Sequence, residues 1–470
     1  FSQVEPTLLV ATDRYFYKGK EISLFDKIRS VQESLPSVST TLILPYSDPL
    51  PAPTEWIALN AALREPDISP FEKFPFNHPL YYLFTSGTTG KPKGIIHGAG
   101  GTLLEHKKEL MLHTDVTTED TVFYQTTCAW MMWNWLVSSL ACGAKIVLYD
   151  GFPLQQEGRL LLDIAEREGV SVFGTNPGYL RELESGQIQP QQGRKLDRLK
   201  SILSTGAPLL PTQFDWVYKA FPPEVCLSSI SGGTDIIGCF ALGSPILPVR
   251  RGELQCRSLA YQVEAYNEAG KPVIGEKGEL VCTKPFMSMP VGFVNDQDGK
   301  RYGAAYFSTF GDIWHHGDAI TITETGGVIV HERSDDVLNA GGVRIGPAEI
   351  YRQVLTFPEI KEAVAVSATV GGDDKILLAV VLNDSTETKL SPSLEREIKN
   401  RLRTEESPRH VPWKIFVAPD LPRTLSGKIS ASAIRSVLQG KKAPNEHALK
   451  NPEVLAFYQE ISSSLKAPLP

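Results

Sequence analysis

Residues 81–94, reading YYLFTSGTTGKPKG, constrain this chain more than any other stretch. A short apolar run at 81–84 reads as a strand. It passes directly into hydroxyls (Thr85, Ser86, Thr88, Thr89), glycines (Gly87, Gly90, Gly94) and lysines (Lys91, Lys93). Glycine lets a backbone approach a ligand closely, hydroxyls and bare N–H groups donate to phosphate oxygens, and lysine supplies the opposing charge. The segment is therefore read as a polyphosphate grip. It is not a Walker A loop, because Gly87 and Gly90 stand too close together and Pro92, not a hydroxyl, follows Lys91. A phosphotransferase of the P-loop type is excluded on that ground.

At 470 residues the chain exceeds one typical core, so at least two domains are expected. A hydrophobic share of 42% with 21% charged residues fits a soluble globular protein. Net charge is −7 and no lysine–arginine stripe is present, which argues against a nucleic-acid partner. The six cysteines (128, 142, 226, 239, 256, 282) form no C-x-x-C pair and have no histidine at metal spacing. They read as buried free thiols of a reducing compartment, and the expected location is cytoplasmic. No charged residue lies between Asp120 and Lys145. That length could span a bilayer, but its Thr, Gln, Asn and Ser content and missing basic flanks point to a buried helix near a pocket, with no membrane insertion. The chain opens at Phe1 with neither a signal peptide nor an initiator Met. Its first residues read as a strand and an amphipathic helix, the sort of unit found inside an α/β sheet rather than at its start, so a preceding part is expected.

Strand-like and helix-like runs alternate through the first half: 40–46, 144–151, the helix at 159–169 with its terminal Gly169, then three strands that each end in a Gly-rich turn near 174, 206 and 232. Such alternation argues layered α/β with functional loops at the strands' carboxyl ends. From about residue 250 the texture becomes short strands and turns, a small β-rich subdomain running to 334. A separate α+β unit is expected at 335–470, with helices at 347–355 and 391–403 and strands at 360–368 and 375–381.

TSGTTGKPKG resembles the phosphate loop of the adenylate-forming enzymes, the family of acyl-CoA synthetases, luciferases and peptide-synthetase adenylation domains. Further motifs follow in the family's order: STGAP at 204–208, GGTD at 232–235, GEL at 278–280, HHGD at 315–318, ERSDDVLNAGGVRIGPAEI at 332–350 and PRTLSGK at 422–428. CAWMMWNW at 128–135, GGTD itself and the tail NPEVLAFY at 451–458 are similar to the acetoacetate-activating branch of that family. The fold implied is a large α/β adenylation domain at 1–334 and a small mobile C-terminal domain at 335–470. The activity implied is a ligase that joins an acid to CoA through an acyl-adenylate, with ATP, Mg2+ and CoA taking part. Acetyl- or propionyl-type ligases are the rival within the class, since a methylene in a pocket is worth only ~1–3 kcal/mol of discrimination. A non-catalytic nucleotide-binding fragment is the rival outside it, and the intact Thr89, Asp318 and Lys428 argue against that.

The resemblance also implies roles. Lys428, after Ser-Gly on a loop, would reach both the acid's carboxylate and the bridging phosphate oxygen, with Arg344 as a second catalytic group. Thr85, Ser86, Gly87, Thr88, Thr89, Gly90, Lys91 and Lys93 would hold phosphates. Gly206, Ala207 and Pro208 would form the wall for adenine. Ser231, in place of the family's aromatic, would join Gly232, Gly233 and Thr234 there. Asp318, expected at a strand end, would take the ribose hydroxyls, with Arg333 nearby. Asp235 replaces the family's Glu as the Mg2+ ligand and is one methylene shorter. Gly341, Gly342 and Arg403 would meet CoA, and Asp335 would be the hinge between domains. The acid's pocket is expected among Trp130, Met131, Met132, Trp133, Asn134 and Trp135, with the Asn134 amide meeting a β-keto oxygen.

Overall fold

The protein is described by a computed structural model over residues 1–46, 53–63, 71–85, 93–333, 338–340, 343–370, 373–384, 386–424, 427–443 and 446–466. Its centre is a five-stranded parallel sheet in the order Cys226–Ser229, Ser201–Ser204, Val172–Thr175, Thr121–Tyr124, Lys145–Val147. Successive side chains of a strand point to opposite faces, and this sheet buries both. Phe123, Phe173, Ile202 and Leu227 pack against helices Arg159–Glu168, Pro177–Ser185 and Pro211–Ala220. Their neighbours Val122, Tyr124, Val172 and Leu203 pack on the other face against Leu110, Met132 and Trp135. Gly169 ends its helix at φ 63°, the left-handed conformation glycine adopts without strain.

The β-rich unit after residue 250 is a four-stranded antiparallel sheet, Val263–Tyr266, Lys277–Cys282, Trp314–Ile322 and Val328–Arg333. Beyond it, strands Ile360–Val370, Asp373–Leu382 and Lys414–Val417 make a second two-faced sheet. Val364, Val366, Leu377 and Ala379 pack with helix Ala431–Leu438. Ala363, Ala365, Ile376 and Leu378 pack with helix Pro347–Val354. The α/β layers expected from the sequence are therefore present.

Four expectations need correction. Residues 120–145 are not one helix: strand Thr121–Tyr124, a loop, and the seven-residue helix Met132–Ser138 divide the stretch. Among the described residues no helix is long and apolar enough to cross a membrane. After the first strand, Leu8–Thr12, comes a hairpin before any helix: Arg14–Tyr17 pairs with Lys20–Ser23 around Gly19 at φ 74°. All six thiols are free, but only Cys239 and Cys282 are buried: Cys142, Cys226 and Cys256 are half-buried and Cys128 is exposed. Asp318 sits within Trp314–Ile322, opposite Arg333, not at the strand's end.

Candidate active site

A cavity of about 400 Å³ lies beyond the carboxyl ends of the parallel strands. Strand Ser201–Ser204 delivers Gly206, Ala207 and Pro208 to its wall, and Cys226–Ser229 delivers Ser231, Gly232, Gly233 and Thr234. Gly206 has φ +95°, and a Cβ there would point at the Trp130 indole 3.7 Å away. Gly232 is demanded by a close backbone approach: a Cβ would stand 1.9 Å from the Gly238 carbonyl oxygen. Asp318 reaches the same cavity from the antiparallel sheet, 8% exposed, with its Oδ2 3.6 Å from His316 Nε2. Lys428, exposed on its loop, and Tyr351 close the cavity from the C-terminal unit. The Lys428 loop is braced: the Lys428 N–H donates to Thr424 Oγ1 at 3.2 Å and its carbonyl accepts from the Thr424 N–H at 2.8 Å. Arg423, beside it, pairs with Glu362.

Asp235 is tied on one oxygen. Its Oδ1 accepts from Lys93 Nζ at 2.7 Å and from the Tyr306 hydroxyl at 2.5 Å. Lys93 begins strand Lys93–Gly98, opposite Thr85, so the phosphate loop's end meets the acid directly. Burial alone would raise this carboxyl's pKa, but His316, Lys93 and Tyr306 outweigh it and hold the group well below the usual carboxylate range. Tyr306 is fixed in turn by stacking on Trp314 at 3.7 Å. His97 Nε2–H donates to the Thr234 carbonyl at 2.8 Å, and burial lowers its pKa to about 4, so the ring is neutral. Among the described residues no cluster of three acidic, His or Cys side chains could hold a metal. A magnesium ion carried on a polyphosphate needs only one or two protein carboxylates, keeping water and phosphate for the rest. Asp235 carries a carboxylate of that kind, but it is not among the residues lining the cavity, and its Oδ1 is already engaged by Lys93 and Tyr306.

Of the aromatic and Met segment, Trp130, Met131 and Met132 line the cavity, whereas Trp133 and Asn134 are not among its walls. Asn134 is buried on the helix behind, so this geometry does not carry the expected contact of its amide with a keto oxygen. Arg403 lies in the turn Leu402–Glu406, bonded to Asn400 Oδ1 at 3.1 Å, and does not line the cavity. Arg333 and Arg344 belong to the described strands by their backbones alone. The expectations at Ser86, Gly87, Thr88, Thr89, Gly90, Lys91, Asp335, Gly341 and Gly342 lie outside the described residues. Sequence reasoning missed Tyr306 and His316 at Asp235; HHGD contains the histidine, but nothing local signals its partner.

The AMP-binding enzyme family matches residues 1–290, well over half of the chain. The chain belongs to the AMP-binding enzymes. It is similar to the acetoacetyl-CoA synthetase of Rhizobium meliloti, 47% identical over 97% of this chain and 71% of that protein. The acetoacetyl-CoA synthetase of Xenopus tropicalis is 41% identical over 98% of this chain and 70% of its own length. Among solved structures, an acetoacetyl-CoA synthetase from Streptomyces lividans superposes with a TM-score of 0.91 at 39% identity, over 98% of this chain and 71% of that one. An anthranilate CoA ligase in complex with anthranoyl-AMP, 19% identical, superposes at 0.76 over 93% of this chain and 79% of that one, and shares the fold.

Proposed function

We propose that this AMP-binding enzyme is an ATP-dependent ligase that converts acetoacetate and CoA to acetoacetyl-CoA through an acyl-adenylate. The observation that carries the reading is the convergence of Gly206, Thr234, Asp318, Trp130 and Lys428 on one cavity. Similarity to acetoacetyl-CoA synthetases over nearly the whole chain supports the acid.

In the first half-reaction a carboxylate oxygen attacks the α-phosphorus of ATP and pyrophosphate leaves. In the second, the CoA sulfur attacks the adenylate's carbonyl carbon, AMP leaves and the thiol proton passes to solvent. Both reactants of the first half are anions, so the dominant requirement is positive charge set at the phosphates. Lys428 supplies it at the bridging oxygen and the acid's carboxylate, and Lys93 supplies it at the loop's end. Adenine lies against Gly206, Ala207 and Pro208, where small residues leave the backbone bare. Asp318 accepts from the ribose hydroxyls. Mg2+, when bound, spreads the polyphosphate charge, and Asp235 is the residue that would hold it. The acid extends toward Trp130, Met131 and Met132, which shield it from water. Among the described residues no cation lines that end, which suits a monoacid.

The test is pyrophosphate release from ATP with acetoacetate, butyrate and acetate, followed by AMP formation when CoA is added. Preference for acetoacetate with CoA-dependent AMP supports the reading, and preference for acetate would overturn the acid assignment.

A further inference from the structure

Behind the cavity lies a cluster of ionisable groups that the proposed chemistry does not use. Glu105 and Glu109 are fully buried, 0% exposed, on consecutive turns of the chain from Ala99–Lys108 into Glu109–His113. Lys108 Nζ donates to Glu105 Oε1 at 2.8 Å and to Ser258 Oγ at 2.6 Å, and sits 4.3 Å from the Tyr261 ring centre. Glu109 makes a different pair of bonds. Its Oε2 accepts from the Trp135 indole N–H at 2.9 Å, and its Oε1 accepts from the Cys239 backbone N–H at 2.6 Å.

Those two donors belong to two different elements that each reach the cavity, through Met132 and through Gly238 and Cys239. Trp135 is on helix Met132–Ser138, directly behind Trp130, Met131 and Met132, and Tyr124 packs edge-on to both Trp130 and Trp135 with ring centres 6.0 Å apart. Cys239 is on strand Gly238–Leu242, whose first two residues line the cavity. Burial first, and the neighbouring Glu109 second, push Glu105 up to about 8, so Glu105 keeps its proton at neutral pH.

We infer that Glu109 is a positioning residue for the acid-binding end of the cavity: one carboxylate ties helix Met132–Ser138 to strand Gly238–Leu242 and so fixes how deep an acid chain the enzyme takes. The inference rests on the acyl-pocket reading above. Both bonds need an acceptor, and a carboxylate has two. An isosteric amide has one acceptor and one donor, so Glu109→Gln must set an NH2 against an N–H at one wall.

The experiment measures KM and kcat for acetoacetate, butyrate and acetate, and KM for ATP, in wild type, Glu109→Gln, Trp135→Phe, the double variant and Trp130→Ala. Glu109→Gln is expected to raise the acetoacetate KM about tenfold and leave the ATP KM within about twofold, the loss of one charge-assisted bond. Adding Trp135→Phe removes the conflicting donor and should return the acid KM toward wild type. Equal rises in both KM values, or a double variant no better than Glu109→Gln, would overturn the inference. If Glu109→Gln does not fold, Trp135→Phe alone decides: an acid KM raised about threefold supports it, and an unchanged one overturns it. Trp130→Ala separates the two readings. If it leaves acid preference unchanged, the pocket reading fails; if it shifts preference while Glu109→Gln does not, only the role of Glu109 fails.

Discussion

Lys93 Nζ and Asp235 Oδ1 lie 2.7 Å apart, joining the last residue of the phosphate loop to the acid of the GGTD motif. The lysine's charge is thereby held beside the acid, over the rings of Phe293 and Tyr306. If Asp235 also holds Mg2+, Asp235→Ala should raise the metal concentration for half-maximal pyrophosphate release by at least about tenfold. Tyr306→Phe removes one of the bonds that aim the carboxylate and should give a smaller shift in the same direction. A metal titration of pyrophosphate release, paired with calorimetric Mg2+–ATP binding, checks both. An Asp235→Ala enzyme with a wild-type metal profile would refute the assignment.

Gly232 and Gly206 face the same cavity but should respond differently to alanine. At Gly232 the new Cβ would meet backbone, the Gly238 oxygen at 1.9 Å and Cys239 Cα at 2.5 Å, so the hairpin itself must move. At Gly206 the space is ordinary, and the strain is a φ of +95°. Gly232→Ala should cost ~1–3 kcal/mol by overpacking and raise the ATP KM, with the acid KM following because Cys239 moves. Gly206→Ala should cost ~1 kcal/mol or more through its backbone conformation alone. Urea midpoints and the two KM values separate these cases; a Gly232→Ala enzyme with wild-type KM values would show that the Gly232 contact does not shape the site.

The sequence made the strand–loop device, the glycine turns and the order of the layers legible because each is local. A strand ending in glycine and hydroxyl residues carries its own signature. The partners were not legible: Lys93 and Asp235 are 142 residues apart, and no spacing rule joins them. Asp318 looks like a strand end because glycine precedes it, yet pairing with Val328–Arg333 carries the strand through it. Which of residues 130–135 face the cavity depends on how one short helix is rotated, and aromatic content alone does not fix that. The run EHKKEL at 105–110 is dense in charge, yet the exposed side chains around it are Leu103, Leu104, Met111 and Leu112. In the fold Glu105, His106, Lys108 and Glu109 are buried, because the face of 99–113 that carries them is covered by strand Gly238–Leu242 and by Tyr261.

Those buried groups set how stability depends on pH. Burial lowers His97, His106 and His331 from an ordinary 6.5 to about 4. As pH falls through that window the unfolded chain gains protons that the native one refuses, so stability drops. Glu105 acts in the opposite direction. Raised from 4.5 to about 8, it keeps its proton in the native state while the unfolded chain loses it, so stability falls as pH rises across that window. Three histidines outweigh one glutamate below 6.5, and Glu105 dominates between 6.5 and 8. Stability should peak near pH 6.5 and lose ~2 kcal/mol by pH 8. Glu105→Gln should flatten the upper limb. Urea denaturation across the range checks it, and a wild type equally stable at both values would show that Glu105 ionises normally.

Lys428 gives the sharpest separation of the two half-reactions. It stands exposed at the cavity mouth on a loop braced to Thr424, so truncating it removes charge without opening a core. The charge is needed where an anionic carboxylate meets an anionic phosphate. It is not needed in that form when a thiol displaces AMP from an adenylate already made. Lys428→Ala should therefore slow pyrophosphate release by two to three decades, ~3–4 kcal/mol of lost transition-state stabilisation. Thioester formation from synthetic acetoacetyl-adenylate and CoA should stay within about tenfold of wild type, since no comparable contact is lost there. Urea midpoints should be unchanged, because an exposed loop side chain contributes little to folding. The two half-reactions are measured separately, as labelled pyrophosphate exchange and as thioester absorbance. Equal losses in both would mean that Lys428 supports the shape of the cavity rather than the charge of the first step.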